Sequence, residues 1–161
     1  MGRFDISPEV AEEYRTKFRE GVMPHVSEEI LAVGTFRTTG SGQKFAISKL
    51  QAGAAIYGAA SKIGRARAGG LPSSFLLAVT PTKLHAFKYK MKRGGVEVRE
   101  EVAVWDRAGL TLGLEQLATT TRVRLTWPEG EKLVFDQDGM GDNPWADDVV
   151  RALQAGSVTV T

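Results

Sequence analysis

Between Phe75 and Phe135 the chain reads FLLAVTPTKLHAFKYKMKRGGVEVREEVAVWDRAGLTLGLEQLATTTRVRLTWPEGEKLVF, with apolar residues recurring at every second position. A period of two belongs to a strand, whose successive side chains face opposite sides of a sheet. Gly, Pro or polar clusters interrupt the alternation every six to ten residues. That spacing leaves room for tight turns and none for the crossover helices that parallel strands require. The stretch therefore predicts a small antiparallel sheet or barrel.

Taken in order, the predicted strands are Phe75–Val79, Leu84–Tyr89, a run on Val96, Val98, Val102 and Val104, a run on Leu110, Leu112 and Leu114, a run on Val123, Leu125 and Trp127, and Leu133–Asp136. In the second of these, His85, Phe87 and Tyr89 share one face and Leu84 and Ala86 the other; in the third, Val96, Val98, Val102 and Val104 share one parity and Glu97, Arg99 and Glu101 the other. Lys90 to Gly95 is read as a turn and Glu115 to Thr120 as a loop. A further strand, Glu29–Phe36, precedes the block and places Ile30, Ala32, Gly34 and Phe36 on one face, which brings the count to seven.

Helix signals flank the strands. Ser7-Pro8-Glu9 supplies an N-cap, a proline for the first turn and an acid beside the positive end of the dipole. Val10, Tyr14 and Phe18 follow four apart, so a helix is expected over 8–20, stopped at Gly21. Asn143-Pro144 opens a second helix, 143–155, with Trp145, Val149 and Leu153 four apart and Gly156 as its stop. Between the first two strands lies an insertion, 38–74, in which Lys44 to Ala68 is Ala-rich with helical spacing of Phe45, Leu50, Ala54 and Tyr57. The tail SVTVT carries no assignment.

Charge is strongly segregated. From Ile30 to Val96 there are eleven basic residues and no Asp or Glu, whereas Glu97 to Thr161 holds twelve acids and six bases. The net charge of the whole chain is only +2. Such an acid-free stretch focuses a positive field. The same composition narrows the chemistry. With no cysteine there is no disulfide, thiolate nucleophile or Cys-based zinc site. The segment MGRFDISPEV lacks the apolar core of a secretory signal, and no uncharged run nears the roughly 20 residues of a membrane span. At 161 residues and 42% hydrophobic content, a single soluble, cytoplasmic domain is expected.

Catalytic and metal motifs are poor. The two histidines, His25 and His85, have no partner that spacing identifies, and His85 on a strand reads as a packing residue. Gly40 to Lys44 misses the spacing of a phosphate loop. Asp136 to Asp147 has Met140 and Asp147 where a calcium loop needs an oxygen ligand and a bidentate Glu. Glu100 and Glu101 point to opposite faces and form no dyad. The expectation is a protein with no catalytic residues, metal or cofactor.

Seven strands closed by a helix with a Trp near its start resemble the pleckstrin-homology (PH) superfold, and more narrowly the bacterial PH-like domains. The resemblance is carried by EEILAVGTF, FLLAVTPTKLHAFKY, VAVWDRAGLTL, VRLTWPEGEKLVF and NPWADDVVRAL, over Glu28 to Leu153. It implies a mainly β (α+β) fold: a seven-stranded antiparallel bent barrel or roll, capped by the C-terminal helix. The N-terminal helix and the helical insertion between strands 1 and 2 are additions to the minimal fold, and a lipocalin-like barrel or simple roll fits the same pattern. It further implies that the insertion and the third-to-fourth turn share an open end. That end would gather Lys44, Lys49, Lys62, Arg65, Arg67, Lys90, Lys92 and Arg93 as candidates for anion or lipid binding. In eukaryotic relatives that end takes lipid headgroups, but here Lys62, Arg65 and Arg67 precede the second strand instead of lying within it.

Two functions follow as expectations. One is a non-catalytic module on an anionic membrane surface, peripheral to the membrane. The other is a protein-interaction or homo-oligomerisation module, using the Ala/Gly-rich face of Ala54 to Ala68. A nucleic acid is disfavoured because no exposed aromatics interleave with the cations.

Overall fold

A computed structural model of the protein describes residues 6–38, 71–118, 120–137, 143–156 and 158–160. Their elements are α1 (Pro8–Val22), a 3-10 turn (Met23–His25), β1 (Ala32–Thr38), β2 (Ser74–Val79), β3 (Lys83–Lys92), β4 (Gly95–Asp106), β5 (Thr111–Gln116), β6 (Thr121–Thr126), β7 (Lys132–Gln137), α2 (Pro144–Gly156) and β8 (Val158–Val160). The strands form one sheet in the order β4-β3-β2-β1-β7-β6-β5-β8. The seven expected strands pair antiparallel, and the unassigned tail adds β8 parallel to β5. Among the described residues the fold is mainly β with two flanking helices. β4 and β8 end the strand order, so among the described residues the sheet is open, not closed by pairing into a barrel. The expected insertion helix (Lys44–Ala68), Gly40 to Lys44 and the loop at 138–142 lie outside the described residues.

Two cores explain the strand sequences. The inner one draws on all seven antiparallel strands and on Ala146, Val149, Val150 and Leu153 of α2. At its centre Phe36, Phe75 and Phe135 meet with ring centroids 4.8 to 6.2 Å apart. Burying each ring stabilises the fold by about 1.5–3 kcal/mol. The outer core lies under α1, where Phe18 and Val22 meet Val33, Leu76, Ala78 and Phe87. β2 is therefore covered on both faces. That is why FLLAV is a continuous apolar run instead of an alternation.

α2 lies where the sheet forks. β1 pairs with β2 over Ala32–Arg37 but with β7 only over Phe36–Thr38. The helix start fills the opening. Asn143 caps it by accepting a hydrogen bond from the Ala146 amide (2.9 Å), and its Nδ2 donates to the Thr35 carbonyl (3.3 Å). The approach is so close that a Cβ on Gly34 would stand 2.6 Å from the Trp145 carbonyl oxygen. At the other end, buried Arg107 donates to the carbonyls of Thr80 (2.7 Å) and Ala152 (3.1 Å).

Several boundaries differ from those expected. β1 starts at Ala32, and β5 continues to Gln116. α1 runs through Gly21 to Val22, because there the missing side chain admits Val98 of β4; a Cβ would sit 2.5 Å from its Cγ2. β3 and β4 extend into the expected turn, leaving Arg93-Gly94 as its centre, with Gly94 at φ +78°. The valines of β4 do not share a face. Ala86 pairs with Ala103, Phe87 with Glu101 and Tyr89 with Val98, so β4 carries two extra residues in bulges. Val96 and Val98 consequently pack under α1, while Val102 joins the inner core.

Candidate anion-binding hairpin and the groove beside it

The β3–β4 hairpin continues beyond the inner core. β3 itself has no extra residue, so Lys88, Lys90 and Lys92 fall on the face of Leu84 and Ala86, past the last buried position of that face. Tyr89 falls on the opposite face and, with Val96 and Val98, packs against the outer core. The antiparallel meander also fixes what lies nearby. The chain leaves β1 at Thr38 and enters β2 at Ser74, at the end of the sheet that carries the hairpin tip. The tip is held to α1 by Lys17, whose Nζ donates to the Gly94 carbonyl and to Glu13 (2.7 Å).

Pairing undoes part of the charge segregation. Acid-free β3 lies beside acid-rich β4, so Lys83 meets Asp106 (2.6 Å), Lys88 meets Glu100 (4.0 Å) and Lys92 meets Glu97 (2.8 Å). Lys92, and after it Arg99, holds the Glu97 carboxyl below its ordinary pKa. Of the three hairpin candidates, Lys92 is thus ion-paired. Lys90 and Arg93 are exposed and form no ion pair among the described residues. From Lys88 to Glu100 there are five bases and two acids, a net charge of +3. Lys44, Lys49, Lys62, Arg65 and Arg67 lie outside the described residues.

The histidines flank one ring. His25 and His85 lie 5.3 and 6.3 Å from Phe87, centroid to centroid, and His85 Nδ1 is 2.6 Å from Glu101 Oε2. The β4 bulges aim Glu101 at His85, a partner that spacing alone did not identify. Glu131 is buried with both carboxyl oxygens unpartnered, and burial raises its pKa. Among the described residues no three His, Asp or Glu side chains gather as a metal site. None of the described helices is long and apolar enough to cross a membrane.

Sequence reading missed a groove on the far side of the hairpin. Val10, Tyr14 and Phe18 of α1, Thr35 of β1, Tyr89 and Met91 of β3 and Trp145 of α2 line a mostly apolar cleft of about 220 Å³. Val10, Tyr14 and Phe18 were legible as one stripe, and Met91 shares the face of Tyr89. What no pattern announced is that Trp145 comes to the same place. Its ring stands 5.9 Å from Tyr14 and 5.6 Å from Phe18, and its Nε1 donates to the Ala11 carbonyl (2.9 Å). Comparison with protein-family models and with curated proteins finds no match for this chain.

Proposed function

We propose that the chain is a non-catalytic binding module of PH-like architecture that contacts an anionic phospholipid surface through the hairpin end. The strand order, the shared inner core and the helix seated in the fork of the sheet support the PH-like reading. One observation carries the functional reading. The acid-free stretch leaves and re-enters the sheet beside a hairpin whose Lys90 and Arg93 remain unpaired by any described acid. Cations presented together in this way add about 1 kcal/mol each near an anionic leaflet, and salt weakens them.

Vesicle flotation tests the proposal. The protein should float with phosphatidylserine-containing vesicles at low salt, stay behind at high salt, and ignore pure phosphatidylcholine. Lys90→Gln with Arg93→Gln touches no described ion pair and should lower partition ~30-fold, the equivalent of about 2 kcal/mol. Absence of flotation under every condition would sink the proposal and leave a protein partner as the reading to pursue.

A further inference from the structure

The hairpin alternates two chemistries. Lys88, Lys90 and Lys92 point to one face, and Tyr89 and Met91 point to the other, where the 220 Å³ cleft opens. The cleft carries exposed apolar surface. Met91 is 48% and Val10 42% exposed, and they are two of only four large hydrophobic residues exposed among those described. Its lining runs from exposed Val10 and Met91 to half-buried Trp145 and buried Phe18 and Thr35.

We infer that this groove takes an acyl chain of an anionic phospholipid bilayer while the hairpin cations take headgroup phosphates. The inference rests on the membrane-surface reading above and adds a hydrocarbon site to it. Charge selects the occupant. The hairpin that supplies Tyr89 and Met91 to the groove also carries Lys90 and Arg93, exposed and with no ion pair among the described residues, whereas Lys17 is engaged by Glu13 and Lys92 by Glu97. An occupant that is anionic at one end and hydrocarbon at the other meets both surfaces of one strand. Side-chain type agrees. Unbranched Met91 adapts to an irregular chain, and Trp145, whose Nε1 is satisfied by the Ala11 carbonyl, lines the groove with its apolar ring.

The experiment uses the full chain and vesicles of phosphatidylcholine and phosphatidylserine whose acyl chains are brominated near the headgroup. Trp145 lines the groove half-buried, whereas Trp105 and Trp127 are stacked in the inner core at 7% and 5% exposure. Bromine should therefore quench tryptophan emission on binding, through Trp145. Val10→Gln with Met91→Gln leaves every tryptophan and every charge in place. It should abolish the quenching and lower partition about tenfold, the transfer free energy of one apolar side chain. The salt dependence should stay unchanged, because the phosphate contacts remain. Full flotation of both proteins without quenching overturns the groove site and spares the hairpin reading. No flotation of the parent protein overturns both. A parent dimer that the double substitution splits into monomers assigns the groove to a second copy and also overturns the inference.

Discussion

The two helices carry nearly the same sequence signals and do different work. Each has an N-cap, a proline in its first turn and apolar residues four apart. Yet α2 buries Ala146, Val149, Val150 and Leu153 in the inner core, and Asn143 and Arg107 tie its two ends to the sheet. By contrast α1 rests on the outer face through Ala11, Phe18 and Val22, and leaves Val10 at the mouth of an open groove. The difference teaches that amphipathic spacing selects which face of a helix turns inward but not what it meets. For α2 the partner is a gap in backbone pairing; for α1 it is a finished sheet face.

The sharpest way to break the comparison is at Gly34. A side chain there meets the Trp145 backbone, which has no rotamer by which to retreat. Gly34→Val should therefore force α2 out of the fork and expose the inner core, with a loss above about 4 kcal/mol, in the range reserved for core disruption. Chemical denaturation with near-UV circular dichroism reads this directly. A cooperative transition with less than half that loss would show that α2 adjusts on the sheet as freely as α1.

Phe18→Ala asks the same question of the outer face. Phe18 is 1% exposed and meets both Tyr14 and Trp145 edge-on, at 6.0 and 5.6 Å. Truncation of a buried Phe costs about 3–5 kcal/mol. If α1 is a cover over a finished sheet, hydrogen exchange should speed up in 8–22 and in the β3–β4 hairpin while β5–β7 stay protected. Uniform loss of protection would make the two cores one cooperative unit.

How much of this was legible depends on whether neighbours in the chain are neighbours in space. Turns, caps and strand faces are local. His85, Phe87 and Tyr89 on one face of β3, and Asn143 as a cap, follow directly from spacing. The bulges of β4 are not local, since Val96, Val98 and Val102 keep one parity in the sequence while the ladder inserts two residues, so Val98 and Val102 part company. Charge is non-local in the same way. A run without acids reads as an uncompensated field, but antiparallel pairing sets Asp106, Glu100 and Glu97 beside Lys83, Lys88 and Lys92 and, among the described hairpin cations, leaves Lys90 and Arg93. The groove draws on four elements, α1, β1, β3 and α2, spread along the chain, and no window contains it.

The smallest expected effect probes the link between the helices. Arg15 of α1 donates through Nε to Asp148 of α2 at 2.6 Å, and this hydrogen bond is the main cause of its raised guanidinium pKa. Glu12 and Arg151 compete for the same pair, at 3.0 and 2.5 Å, and the groups are partly in solvent. Such pairs contribute about 0–1 kcal/mol because water screens them and ordering two side chains costs entropy. Asp148→Asn should thus lower stability by roughly 0.5 kcal/mol at low salt and by nothing measurable in 1 M salt, where the screening length is about 3 Å. A double-mutant cycle with Arg15→Gln isolates the pair from its competitors. Coupling above about 1.5 kcal/mol that resists salt would mean that α1 is locked to α2. The outer helix would then share the rigidity of the inner one, and the groove between them would be a fixed part of the fold.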